Sequence, residues 1–279
     1  KNGNDMAIAN LTEGLILTGI AMSFVGNSRP ASGSEHHLSH FLEMMFLFRG
    51  KEAVLHGTKV GITTIAIVKL YQMLKGKKID VAASAEKVKH FNKEKWVEQI
   101  NRIYQSGAPA VISMEEHSKK NSLEKHQERI EIIKKKWPEM MKVIDKLIPD
   151  VTTIEKILKE VEAPISPIEI GIDAETFLNS LVYGKEIRNR YTILQLLWDL
   201  GLLEEYSKKV VDYFYKEQQL SKVSSLEKGK ELLKQVKCFI LDMDGTFYLG
   251  DKIIDGSLEF LEGVKNCNKR FYFFTNNSS

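Results

Sequence analysis

From residue 5 to about residue 216, apolar side chains return every three or four positions, a spacing that admits helices rather than strands. Leu11, Leu15, Ile16, Ile20 and Phe24 mark the first stretch, residues 5 to 25, with Asn4 or Asp5 placed to cap it. Gly14 and Gly19 inside it cost helix propensity, which predicts close packing against a neighbour. Residues 34 to 49 carry Phe41, Leu42, Met44, Met45, Phe46 and Leu47 as core candidates. Residues 58 to 75 carry Val60, Ile62, Ile65, Ile67 and Leu70. Gly57 and Gly61, one turn apart, predict a tight approach there. The helical pattern then holds from 84 to 161, with breaks expected at Ser106 to Pro109, at Trp137-Pro138 and at Pro149. Within it, Asn121 to Trp137 turns Leu123, Ile130 and Ile133 inward. Three more helices are expected over 173–183, 192–200 and 202–216.

The texture changes after residue 216. Residues 217 to 230 are rich in Lys, Ser and Glu, as a linker or a solvated helix would be. Val236 to Leu241 reads as a strand that ends at Asp242-Met243-Asp244-Gly245-Thr246. A helix-like stretch, Ser257 to Asn266, leads to a second strand, Arg270 to Phe274, which ends at Thr275-Asn276-Asn277. This is a β–α–β unit with polar residues at both strand C-termini, where open α/β sheets place their sites. The expected division is therefore 1–216 helical, 217–235 linker, and 236–279 the first β–α–β unit of an α/β domain.

Charge narrows the function classes. Forty Lys and Arg against 37 Asp and Glu leave a net charge of +3, too balanced to argue for nucleic acid. The densest basic run, Lys134 to Lys136 after Lys119-Lys120, alternates with Glu124, Glu128 and Glu131 and reads as a solvated helical face. Cys238 and Cys267 make no disulfide framework, so a reducing cytoplasm is the simplest setting. The longest apolar run, Leu11 to Val25, carries Glu13 and two glycines and is short for a membrane span. The start at Lys1 and the stop just after a strand are those expected of a piece of a longer protein.

Two constellations carry chemistry. Four of the seven histidines lie in Ser34-Glu35-His36-His37-Leu38-Ser39-His40 and Leu55-His56-Gly57. On a helix, His36 and His40 fall one turn apart on one face. His56 opens the following helix and can bring a third imidazole to them. Such donors suit zinc, nickel or iron. The preceding loop, Gly26 to Gly33, offers backbone N–H groups and Arg29 to an anion near a helix N-terminus. In the second constellation, DxDGT after a strand sets two carboxylates two residues apart. One can attack phosphorus while the other manages the leaving-group proton, and together they can hold Mg²⁺.

Residues 236–279, with DMDGT and the closing FFTNNSS, resemble the haloacid-dehalogenase-type phosphatases, in particular their nitrophenyl-phosphatase-like branch. The resemblance implies Asp242 as nucleophile and Asp244 as general acid/base, both near Mg²⁺, with Thr275 on the phosphate and Asn276 on the substrate side. A later lysine, a later acidic loop and a cap, which that family needs, do not occur in the chain. Residues 5 to 215, through NSRPASGSEH, the following Ser39-His40, His56-Gly57, IRNRYT and WDLGLL, resemble the sn-glycerol-1-phosphate dehydrogenases of the iron-containing alcohol dehydrogenase superfamily. The implied fold is mostly α: an all-helical, dehydroquinate synthase-like metal domain followed by a truncated Rossmann-like phosphatase segment. By position, His36 and His56 would be metal ligands for Zn or Ni, and His40 a substrate-side residue. The third ligand and the NAD(H) or NADP(H) domain would lie upstream. His56-Gly57-Thr58-Lys59 stands where HGEQ is commoner. The implied substrates are dihydroxyacetone phosphate and glycerol 1-phosphate, in the cytoplasm, without nucleic acid or membrane. Homo-oligomerisation is left open. The alternative is a phosphatase whose helical region is a non-catalytic module.

Overall fold

The computed structural model describes residues 4–78, 84, 86, 88, 89, 91–216, 233, 234, 236–242, 247–249 and 252–274. It divides into two compact units, 1–216 and 217–279. The first is helical: α1 (Asp5–Val25), α2 (Ser34–Phe48), α3 (His56–Leu74), α4 (Lys93–Tyr104), α5 (Ala108–Ser118), α6 (Leu123–Leu147), α7 (Val151–Glu160), α8 (Ala174–Tyr183), α9 (Ile193–Asp199) and α10 (203–216).

Helices α2 and α3 form the centre, α2 packing along α3 and against α8 and the turn Gly184–Glu186. Leu38, Phe41 and Leu42 of α2 meet Ala66, Leu70 and Leu74 of α3, together with Tyr104, Phe177, Leu181, Leu194 and Leu197. All are buried, each aliphatic or aromatic side chain contributing about 1.5–3 kcal/mol. The approach at Gly184 is close, since a Cβ there would stand 2.9 Å from Leu38 Cδ2.

Several local expectations change. Asn4 caps α1 by accepting from Met6 N (2.9 Å), but α1 buries no residue, and a Cβ at Gly14 or Gly19 would meet nothing within 4 Å. Among the described residues no neighbour explains those glycines. By length and composition α1 is also apolar enough to cross a membrane. Gly61 does pack closely, a Cβ there standing 3.3 Å from Leu158 Cδ2, whereas Gly57 is open. Helix α6 runs through Pro138 without a break. The proline removes only the hydrogen bond to the solvent-facing turn at Lys134, while buried Trp137 and the neighbouring Met140 and Met141 hold both halves to the core. Ile130 and Ile133 point inward, but Leu123 at the start of α6 is exposed.

Lys120 departs most from a solvated face. It is buried, pairing with Glu186 Oε2 (2.8 Å) and donating to the Lys185 carbonyl (2.7 Å). Lys185 Nζ in turn meets Glu186 Oε1 (2.5 Å) and Asn121 Oδ1 (2.6 Å) and lies 4.9 Å over the Trp198 ring. Next to it, Arg129 grips Asp199 through two hydrogen bonds of 2.8 and 2.7 Å, and Tyr191 donates to the same carboxylate (2.9 Å). Burial alone would raise the Glu186 carboxyl, but Lys185 and Lys120 outweigh it and bring it down to about 2.

In the second unit, β1 (Cys238–Asp242) pairs in parallel with β4 (Arg270–Phe274), Asp242 opposite Phe274, and α11 (Ser257–Asn266) packs on β4. An antiparallel hairpin of β2 (Tyr248–Leu249) and β3 (Lys252–Ile253) stands between β1 and α11, in addition to the expected β–α–β pattern. Of the linker over 217–235, only Leu233 and Lys234 are among the described residues.

Candidate functional site

Helix α2 begins at Ser34 with no side-chain cap on Gly33. Glu35 closes that end instead, accepting from Gly33 N–H through Oε1 at 2.7 Å. Gly33 has no Cβ to obstruct this, since one would lie 2.7 Å from Glu35 Oε2. The helix start thus carries its own carboxylate, which weighs against an anion being held at that end. Arg29 is exposed, and its backbone N–H donates to Asn27 Oδ1 (3.0 Å). The loop is tied down from elsewhere: Arg190 donates to Ser28 Oγ (3.1 Å) and the Ser32 carbonyl (3.3 Å). Sequence reasoning had not given Arg190 a role.

Beyond that loop, α2 presents His36 and His40 one turn apart, and α3 opens with His56 beside them. The ring centroids are 5.3 Å apart for His36–His56, 5.3 Å for His40–His56 and 6.4 Å for His36–His40. All three imidazoles are partly exposed. Their polar contacts run through the same atom: His36 Nδ1 is 2.9 Å from Glu35 Oε1, and His40 Nδ1 is 3.2 Å from Glu43 Oε2. His56 Nδ1 is 3.3 Å from Ser39 Oγ and 3.7 Å from Glu43 Oε1. An ionised carboxylate only accepts, so the contacts of His36 and His40 place the N–H on Nδ1 and the lone pair on Nε2, and at His56 the nearby Glu43 charge favours the same form. That is the donor form in which carboxylate-supported histidines meet a metal.

Glu43 and its partner Lys59 were not foreseen. Lys59 Nζ lies 3.2 Å from Glu43 Oε1. Burial would raise the Glu43 carboxyl, but hydrogen bonds from Lys59 and His40 hold it below its ordinary value. The ligand atoms of His40, Glu43 and His56 all lie within 4.8 Å of one another. His40 therefore sits among the donors as closely as the pair His36 and His56. A signal existed, because Glu43 follows His40 by three residues on the same helix face.

His37 differs from the other three. It is fully buried, and neither ring nitrogen has a hydrogen-bond partner among the described residues. Burial first, then Arg188, Arg190 and Lys120, lowers its pKa to about 4, so the ring is neutral near pH 7.

In the second unit, Asp242 is the last residue of β1, its backbone paired with Phe274 at the end of β4. The side chain of Asp242, and Asp244, Thr275 and Asn276 altogether, lie outside the described residues.

The family model for haloacid dehalogenase-like hydrolases matches residues 239–279. Curated relatives of the chain are glycerol-1-phosphate dehydrogenases. That of Halalkalibacterium halodurans is 33% identical over 194 residues, 70% of this chain and 38% of the relative. That of Geobacillus stearothermophilus is 30% identical over 203 residues, 72% of this chain and 41% of the relative. That of Staphylothermus marinus is 47% identical over 211 residues, 75% of this chain and 36% of the relative. Matches of this length fall mostly within the helical unit. The chain spans about two fifths of the length of these relatives.

Proposed function

We propose, on the premise of the helical unit's homology to the glycerol-1-phosphate dehydrogenases, that it forms the metal- and substrate-holding part of such an enzyme. The reaction is NAD(P)H-dependent reduction of dihydroxyacetone phosphate, and its reverse. The observation that carries this reading is the cluster of His36, His40 and His56, each with Nδ1 facing a carboxylate. His36 and His56 would hold Zn²⁺ or Ni²⁺ through Nε2, and His40 would face the substrate. The bound metal supplies Lewis-acid stabilisation of the ketone oxygen as it gains negative charge. The protein's own share is orientation: Arg190 fixes the loop before His36, Glu35 fixes the His36 ring, and Glu43 stands between His40 and His56. The nicotinamide is the hydride donor or acceptor, and the groups that bind it would lie upstream of the helical unit. The two free cysteines, Cys238 and Cys267, support a reducing, cytoplasmic setting. The uncovered apolar face of α1 agrees with a helix that packs against further protein.

The match over 239–279 supports a second, fused activity, Mg²⁺-dependent phosphate-ester hydrolysis with Asp242 as nucleophile and Asp244 as acid/base, Thr275 and Asn276 contacting the substrate. The test uses the intact gene product. NADH oxidation that requires dihydroxyacetone phosphate, stops with chelator and falls at least a hundredfold in His36→Ala and His56→Ala supports the dehydrogenase. Phosphatase activity lost in Asp242→Asn, with no nicotinamide-dependent activity at all, would instead favour a hydrolase whose helical unit is non-catalytic.

A further inference from the structure

Lys59 sits where a lysine is costly. Its side chain is 1% exposed, in the first turn of α3, and a buried ammonium must be both paired and hydrogen-bonded to be tolerated. Two groups accept from it. One is the Val54 carbonyl, two residues before His56. The other is Glu43 Oε1, 3.2 Å away. Leu55, the residue before α3, offers no side-chain cap, so the ammonium tethers the backbone that leads into His56. The same ammonium anchors the carboxylate that faces Nδ1 of both His40 and His56. The Ser39 hydroxyl, the other partner of His56 Nδ1, can donate or accept and so leaves the tautomer open. Among the described residues it is the negative Glu43 that favours an N–H at that nitrogen. One buried cation thus reaches the α3 histidine by two routes, through its backbone and through its ring.

We propose that Lys59 is a positioning residue for the histidine cluster, fixing His56 and Glu43 so that Nε2 of His56, beside that of His36, is offered to a divalent cation of the zinc or nickel class while the His40 ring is held next to it. This rests on the metal reading above. It also separates two jobs within one turn of α3: His56 binds, and Lys59 decides how His56 is presented. A buried lysine serving only to fill space would move stability and leave metal affinity alone.

The experiment titrates Zn²⁺ into metal-stripped intact gene product by competition with a chromophoric chelator, and repeats it with Co²⁺ to read the visible spectrum. Lys59→Met keeps the stem and removes the charge. It is expected to weaken Zn²⁺ binding about 10- to 100-fold, the range for losing a partner of a ligating histidine. The Co²⁺ spectrum should change with it. Lys59→Arg, which keeps a donor cation, should recover most of the affinity. Glu43→Gln should weaken binding less than Lys59→Met, because the tether to Val54 remains, and the double variant should lose little more than Lys59→Met, because Glu43 acts along one of the two routes that Lys59 holds. If Lys59→Met does not fold, Glu43→Gln and Lys59→Arg decide. Wild-type affinity and spectrum in folded Lys59→Met, or in Glu43→Gln, would overturn the proposal while leaving the metal reading intact. A wild-type protein that takes up neither Zn²⁺ nor Co²⁺ would overturn both.

Discussion

Around Lys185 the charges are paired with one another inside the protein, whereas around His56 the donors are half exposed and each ring keeps one nitrogen in reserve. The two groups lie in the same helical unit and use similar residue types. In the first, Lys120, Lys185, Glu186 and Asn121 close on one another at 2.5–3.1 Å, and Trp96 adds its indole N–H to Glu186 at 3.2 Å. In the second, a carboxylate or, at His56, a hydroxyl takes one side of each imidazole and leaves the other side open. The first arrangement spends its polar groups on the fold. The second keeps coordination capacity for something else. Lys59 belongs to both kinds, buried like Lys185 yet acting toward an open site.

The contrast can be broken most forcefully at Glu186. Glu186→Ala leaves Lys120 and Lys185 buried without their anion, and unfolding free energy in urea is expected to fall by about 3–5 kcal/mol. Zn²⁺ affinity of the protein that remains folded should not change. A change there would mean that the two groups are not separate.

His37 gives the next largest effect. Its folded pKa of about 4 lies below the ordinary 6.5, so the unfolded chain binds the proton more readily between those values. Stability from its neutral burial is complete above about pH 6.5 and is lost as the pH falls toward 4, by roughly 3 kcal/mol. Acid unfolding of metal-free His37→Leu should be correspondingly flatter over that window. An unchanged pH profile would remove His37 from the acid-sensitive groups.

Gly33→Ala probes the opposite side of the comparison. Its Cβ would displace the Glu35 carboxylate from Gly33 N–H and from His36. Zn²⁺ affinity is expected to drop about tenfold, with stability moving by no more than about 1 kcal/mol. At the small end, Lys136→Ala breaks an exposed pair with Glu139 (3.0 Å) and should alter the midpoint of unfolding by less than about 0.5 kcal/mol. That null result fixes the scale on which Lys120 and Lys185 stand out.

Much of this was legible in the sequence, for definite reasons. Helices α2, α3 and α8 announce themselves because a stripe of Leu, Ile and Phe at 3.6-residue spacing must face a core, and it does. The strands β1 and β4 were readable as aromatic and aliphatic runs that stop at polar clusters. The hairpin of β2 and β3 was missed, although Gly250-Asp251 between Tyr248-Leu249 and Lys252-Ile253 is a two-residue hairpin signal. The histidine cluster was legible because two of its three rings share one helix face. Its support was not. Lys59 resembles any surface lysine until Val54 and Glu43 are seen around it. The closed network was hidden more deeply, since Lys120 and Glu186 are 66 positions apart and nothing local distinguishes a lysine that turns inward from its neighbour Lys119 that does not. Periodicity reports which face is apolar, and it is silent on which charges the apolar face will swallow.

Helix α1 has a practical side. It is a rod of 21 residues, about 30 Å long, on which Leu11, Leu15, Ile16, Leu17, Ile20 and Phe24 all face solvent, Phe24 at 89%. In the laboratory such a surface behaves as an adhesive. A preparation of these residues alone would be expected to cling to chaperones, to columns and to its own copies, and to brighten dyes that seek greasy surfaces. Mild detergent, or charged replacements at Leu11, Leu15 and Phe24, would be the first remedy at the bench, and because none of the three is buried within the unit, the helical core behind them should not register the change.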